Sequence, residues 1–113
     1  MNTTFDRQAL LKLLRLLKKG RSPADQWLRV TAIGEHLICE SDAGLVSMPA
    51  LVLEFGAFTT RQPAFQRLLN SFTGNATLTL QADPARFRLG AFSGQLLDYD
   101  SNPALPVGFE PPA

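Results

Sequence analysis

The residues of this chain that could carry chemistry are few and far apart. His36 is the only histidine and Cys39 the only cysteine among the 113 residues. Side chains three positions apart on a strand leave opposite faces, so His36 and Cys39 cannot readily share a metal ion. Because no second Cys/His pair exists, we interpret them as a surface-edge histidine and a small buried cysteine.

Ser93 lies in a stretch of small residues, Gly90 to Gly94, which could suggest a nucleophilic serine. The sharp elbow that presents such a serine needs small residues two positions before it and two after it. Ala91 meets this requirement but Gln95 does not, and no histidine follows to act as a base. The stretch is therefore interpreted as a strand bulge or a turn.

Carboxylates and glycines do not complete a site either. Asp98 and Asp100 would share one strand face, but two carboxylates supply fewer oxygens than a hard-cation site needs. The glycines are scattered and mark turns, without the run of a phosphate-binding loop. We predict a protein that is not an enzyme and that has no cofactor, no metal ion and no evident small-molecule substrate.

Positive charge is concentrated at the start of the chain, although the net charge is only +1. Residues 1–21 carry six basic side chains against one aspartate, and the remainder carries five against nine acidic ones. A basic helix face can pair with phosphates without reading sequence. The alternative is a solvated polar face, which any core helix has. The candidate contacts to a nucleic-acid backbone are Arg7, Lys12, Arg15, Lys18 and Lys19.

Composition indicates one folded domain. Hydrophobic residues make up 45% and charged residues 19% of the chain, which is typical of a globular protein. Basic residues interrupt the leucines near the N-terminus, unlike a signal peptide, and no stretch approaches the ~20 apolar residues of a membrane span. The single cysteine argues for a reducing compartment. We expect a cytoplasmic protein with no membrane partner.

Periodicity predicts the elements of the first half. A helix is predicted over Asp6–Lys19, capped by Thr4 or Asp6 and stopped by Gly20, with an apolar face of leucines that Ala9 and Leu16 widen. Four strands follow, the third of which Pro49 limits to an edge or a bulge. They are predicted at Trp27–Ile33, His36–Glu40, Leu45–Ser47 and Leu51–Phe55.

The second half repeats this theme. Thr59 or Thr60 is expected to cap a second helix, with Pro63 in its first turn. One face of that helix carries Phe65, Leu68, Leu69 and Phe72. Strands are then predicted over residues 76–80, Arg86–Leu89 and Gln95–Tyr99.

The order helix–meander–helix–meander predicts an α+β fold, with an antiparallel sheet and two amphipathic helices on one of its faces. We expect a single domain over residues 1–100 and a proline-rich tail over residues 101–113 that is extended over the surface or disordered.

At the level of this pattern the chain resembles one domain of a DNA sliding clamp, the processivity factor of replicative polymerases. The opening of the bacterial clamp is similar to Phe5–Leu14. Its second half is similar to Phe65–Phe72 followed by Leu78, Leu80 and Arg86–Leu89, so that the resemblance covers about residues 3–99. It implies two helix-plus-meander halves, helices that face DNA, and a ring that would need about six copies of a single domain.

Two hypotheses about function follow. The first is a non-enzymatic binding module with a clamp-like fold, whose partner is another copy of itself, another protein or nucleic acid. Open sheet edges and the proline-rich tail favour a protein partner or self-association. The alternative is a small DNA-associated factor that contacts the phosphate backbone through its basic first helix.

Overall fold

The computed structural model describes residues 1–17, 26–73, 77–106 and 109. This part of the chain contains two helices and ten strands, so the predicted α+β class is confirmed. In chain order they are β1 (Asn2–Asp6), α1 (Arg7–Leu16), β2 (Trp27–Ile33), β3 (His36–Ser41), β4 (Gly44–Pro49), β5 (Leu51–Glu54), β6 (Gly56–Arg61), α2 (Gln62–Asn70), β7 (Thr77–Ala82), β8 (Phe87–Leu89), β9 (Phe92–Gly94) and β10 (Asp98–Asp100).

The strands form two antiparallel sheets, and each sheet takes strands from both halves of the chain. Sheet A has the order β5-β1-β7-β8-β9, and sheet B has the order β10-β6-β2-β3-β4. Each half runs strand, helix and then four strands. The halves exchange strands, because β1 and β5 join three strands of the second half while β6 and β10 join three of the first. The topology therefore has an internal two-fold symmetry.

One apolar core lies between the two sheets and the helices. Alternation places one face of each strand in it, as in β7, where Leu78 and Leu80 are buried and Thr77 and Thr79 are exposed. The rings of Phe58 and Phe87 stack at 5.0 Å in this core. Gly94 is needed beside them, because a Cβ there would collide with the Phe87 ring. In the described residues, no helix is long and apolar enough to cross a membrane.

Helix α1 begins where the sequence predicts. The Asp6 carboxylate accepts hydrogen bonds from the backbone N–H groups of Gln8, at 2.9 Å, and Ala9, so Asp6 is the predicted cap. The predicted end at Lys19 and Gly20 lies outside the described residues. Leu16 does not widen the apolar face as expected, because it is 71% exposed on the outer arc of the helix.

The segment before α2 corrects the prediction. Thr59 and Thr60 do not cap the helix: both lie in β6, and Arg61 occupies the cap position with no side-chain capping bond. Threonine suits a strand as well as a cap, and pairing of β6 with β2 and β10 decides between them. Pro63 lies in the first turn as predicted.

Strand ends and edges also differ in part from expectation. The turn predicted within Gly90–Gly94 is confined to Gly90, with φ 59, and Ala91, and a short strand, β9, follows. The last strand spans only Asp98–Asp100 and pairs with β6 in sheet B. The restriction that Pro49 imposes is confirmed, because β4 is an edge strand. In the tail, Pro103 is buried and the Phe109 ring lies 5.4 Å from the ring of His36.

The first residue of each helix is a buried polar side chain that reaches the other helix. Arg7 Nη1 donates a hydrogen bond to the carbonyl of Leu69 at 3.2 Å. Gln62 Nε2 donates to the carbonyl of Leu17 at 3.0 Å and to that of Leu14 at 3.5 Å. The last carbonyls of a helix have no partner within it. Each helix therefore supplies hydrogen bonds to the C-terminal carbonyls of its neighbour.

We expect the substitution Gln62→Ala to lower the free energy of unfolding by about 2 kcal/mol, because it removes the side-chain donor to the Leu17 carbonyl in a buried environment. The matched control is Gln8→Ala on the exposed side of α1, which should change it by less than about 0.5 kcal/mol. Urea unfolding followed by circular dichroism measures both. Equal effects of the two substitutions would contradict the role of Gln62.

Candidate functional site

The two helices form one layer whose outer face carries exposed basic side chains. Lys12 and Arg15 of α1 and Arg67 of α2 are exposed. Lys12 and Arg67 are each the sixth residue of their helix, so the internal symmetry places a cation at matching positions. None of the ion pairs found in the described part of the chain involves these three side chains.

The predicted set of phosphate contacts is only partly brought together. Lys12 and Arg15 lie on the outer face as expected, and Lys18 and Lys19 lie outside the described residues. The placement of Arg7 on this face is wrong, because Arg7 is 8% exposed and donates to Leu69. At ~100° per residue, Arg7 lies only ~20° from Leu14 around the helix axis. The helical pattern therefore already indicated that Arg7 lies on the buried face.

Sequence reasoning left Arg67 out of this site. The helical pattern of α2 places Arg67 away from the buried Phe65 and Leu69, which would have identified it as exposed. Its match to Lys12 across the two helices depends on how the halves pack together, and no local pattern contains that information.

The residues that could do chemistry are kept apart in the structure. His36 is half-buried and Cys39 is buried, on opposite faces of β3. Asp98 and Asp100 both face Arg29 of β2, with oxygen–nitrogen distances of 3.8 Å and 3.6 Å. Across residues 1–17, 26–73, 77–106 and 109, no three His, Cys, Asp or Glu side chains form a group that could hold a metal ion.

One of the two edge strands of each sheet lies beside a helix. We call each such pair of elements a flank of the domain. Flank 1 consists of α1 and β4, which are in contact, and flank 2 consists of α2 and β9. Between α2 and β9 lies a groove of about 300 Å³, which includes Ala64, Leu68, Phe87 and Leu97 among its lining residues. Phe92 and Leu97 of this region are 52% and 60% exposed.

No protein-family model matches the chain, and no curated protein matches its sequence. Solved structures do match. The chain superposes over its whole length on Caulobacter crescentus pol III beta, with a TM-score of 0.65 and 22% identity, and covers 32% of that chain. On the Helicobacter pylori beta clamp it superposes over 95% of its length, with a TM-score of 0.73 and 15% identity, and again covers 32%.

The fold is that of one sliding-clamp domain. A second structure of the Helicobacter pylori beta clamp, bound to a DNA ligase peptide, gives a TM-score of 0.72 at 19% identity over 95% of this chain. The expected resemblance to a clamp domain is confirmed. This chain spans about a third of the length of the clamp chains that it matches.

Cys39 should be unreactive in the folded protein. Burial, together with the nearby charge of Glu40, raises the pKa of Cys39 to about 12. Only about one molecule in ten thousand then carries a thiolate at pH 8, and the thiolate is the reactive form. Reaction with Ellman's reagent at pH 8 should be slow in buffer and fast in urea. Rapid stoichiometric labelling of the folded protein would contradict this.

Proposed function

We propose that this protein is a non-enzymatic binding module of the sliding-clamp type that assembles from several copies of itself. The observation that carries the proposal is that the chain superposes on one clamp domain over its whole length. By analogy with clamp rings of six domains, a closed ring would contain about six domains of this kind. We also propose that the protein is located in the cytoplasm.

The two flanks support head-to-tail assembly. Flank 1 and flank 2 differ in sequence but occupy equivalent places in the topology, and each ends in an edge strand. When flank 1 of one copy contacts flank 2 of another, each of the two copies keeps one flank free for a further copy. Such contacts generate a ring when the rotation closes. Phe92 of β9 and Leu97, which lines the groove of flank 2, supply apolar surface for this contact.

A protein partner is also part of the proposal. The Helicobacter pylori beta clamp has been observed with a DNA ligase peptide bound. We extend to this chain the inference that a clamp-type domain acts by holding other proteins, rather than by catalysing a reaction.

Sedimentation velocity tests self-assembly. The chain has a mass of 12.4 kDa, and we expect a species several times heavier at micromolar concentration. Phe92→Asp on flank 2 should shift it to the monomer, because burying a carboxylate without a partner is costly. Leu53→Asp on β5 is the matched control and should leave assembly unchanged. A wild-type monomer at every concentration tested would refute assembly.

DNA binding by the helix layer is the second candidate function. It is favoured by the matching positions of Lys12 and Arg67 and by the exposure of Arg15 on the same face. Contacts of these cations with phosphates would add affinity without sequence preference.

Fluorescence anisotropy with a labelled DNA duplex tests this second function. Affinity should fall as salt rises, with a log–log slope of about −0.9 for each phosphate neutralised. The double variant Lys12→Glu/Arg15→Glu should abolish binding. Arg86→Glu/Arg88→Glu makes the same charge change on and beside β8 and should have little effect. Absence of binding at low salt, or equal losses in both variants, would eliminate a DNA role.

A further inference from the structure

The outer edge of sheet A carries an exposed apolar strand. Leu51, Leu53 and Phe55 are 61%, 67% and 49% exposed, and they stand at alternate positions in β5 and the residue after it. The register of β5 against β1 shifts between Val52 and Glu54, so alternation alone does not place Phe55 on the same side as Leu51. β5 has β1 as its only hydrogen-bonded neighbour within the described residues. We call these three side chains the β5 ridge.

The other three edge strands are protected in ways that β5 is not. β4 ends in Pro49, and β9 and β10 have only three residues each. β10 also carries two aspartates. Short length, proline and charge are the usual devices that prevent an edge from pairing with another chain. β5 contains no proline and a single charged residue, Glu54, and its pairing with β1 has one register shift. Its edge is open to an added strand.

Acidic side chains lie beside the ridge. At the Leu51 end is an open groove of about 790 Å³, which includes Phe5, Asp6, Glu35 and Pro49 among its lining residues. Asp6 and Glu35 are exposed, and neither takes part in an ion pair found among the described side chains. We call this the acidic groove.

Glu54 lies at the other end of β5, in a pocket that Arg86 and Arg88 also line. Its side chain is 70% exposed, and its Oε1 lies 3.0 Å from the N-terminal ammonium group of Met1. The surface thus combines exposed apolar side chains along β5 with carboxylates at the Leu51 end of the strand. A ligand that matches it needs apolar groups and positive charge.

A second copy of this chain fits the surface poorly. Two β5 edges paired about a two-fold axis would run antiparallel and bring Glu54 of each copy towards the acidic groove of the other, and like charges oppose association. Three partly exposed side chains also provide much less than the ~800 Å² per partner of a standard interface. An added strand needs less area, because backbone hydrogen bonds supply part of its affinity.

We propose that the β5 ridge and the acidic groove bind an extended segment of a partner protein in which large apolar residues alternate with lysine or arginine. The segment adds to the free edge of β5, its apolar side chains pack on the β5 ridge, and its cations face the acidic groove. This site goes beyond the proposed assembly, because it uses neither flank.

Anisotropy with fluorescein-labelled seven-residue peptides tests the proposal. One peptide alternates valine or leucine with lysine, a second replaces each lysine by glutamate, and a third has the composition of the first in blocks. The alternating lysine peptide should bind at least tenfold more tightly than the other two. Comparable binding of the glutamate or block peptide, or no binding of any peptide up to millimolar protein, would overturn the proposal.

Variants of the protein locate the site. Leu51→Ser/Leu53→Ser should weaken binding of the lysine peptide at least tenfold, whereas Leu97→Ser on flank 2 should change it less than twofold. Glu35→Lys, at the turn before β3, should weaken binding about fivefold. Asp42→Lys makes the same charge change at the turn after β3 and should have no effect. This pair of variants tests whether the acidic groove contributes to peptide binding, even if the double variant does not fold.

Two further outcomes would reject the site. One is an equal loss of binding in Glu35→Lys and Asp42→Lys. The other is a wild-type dimer in sedimentation that Leu53→Lys dissociates, which would assign the β5 ridge to a second copy. Assembly and DNA binding measured on Leu51→Ser/Leu53→Ser should stay at wild-type levels, so failure of this site is distinguishable from failure of the clamp-type function.

Discussion

The reciprocal hydrogen bonds between the helices are the interaction on which the rest of the structure depends. Arg7 and Gln62 each stand at the corner where a strand turns directly into a helix, and each reaches the far end of the other helix. A buried carbonyl without a donor costs roughly 1–3 kcal/mol. Satisfying these carbonyls holds the helices antiparallel and fixes both corners. The corners in turn fix where β1 and β6 enter their sheets.

This arrangement explains why basic side chains lie on the outer face of the two helices. Since the polar first residues turn inward, the basic residues one and a half turns later point outward at equivalent places. A pair of cations related by the internal symmetry is therefore a consequence of the packing and not of the sequence alone. The same symmetry makes the two flanks geometrically alike, while their side chains differ enough to distinguish one from the other.

Local patterns predicted much of the fold, because they report burial directly. The bounds of β2 match the prediction, and the alternation of β7 and the apolar face of α2 are confirmed. Failures occurred where a residue type suits two environments. The threonines before α2 suit a cap and a strand equally, and β1 is too short to show a period. β1 and β6, the strand that contains these threonines, are both defined by pairing partners from the opposite half of the chain. A short window of sequence does not contain those partners.

The candidate sites were predictable to a smaller degree. The outward position of Lys12 and Arg15 follows from the helical period. An arginine is expected at the surface, whereas Arg7 is buried and donates to a carbonyl of the other helix. Leu51 and Leu53 were correctly assigned to a strand, whereas Phe55 follows the end of β5. Their exposure arises from the strand's place at the edge of sheet A, which tertiary structure alone decides.

The exchange of strands between halves also governs how the chain can reach this structure. Thr4 of β1 lies beside Thr79 of β7, 75 positions later. Neither half can complete a sheet from its own strands, so β1 has no partner on one side until the second half has emerged and docked. Pairing over such sequence distances is slow. We therefore expect folding to be limited by the meeting of the two halves, with the apolar strands of the first half unprotected in the interval.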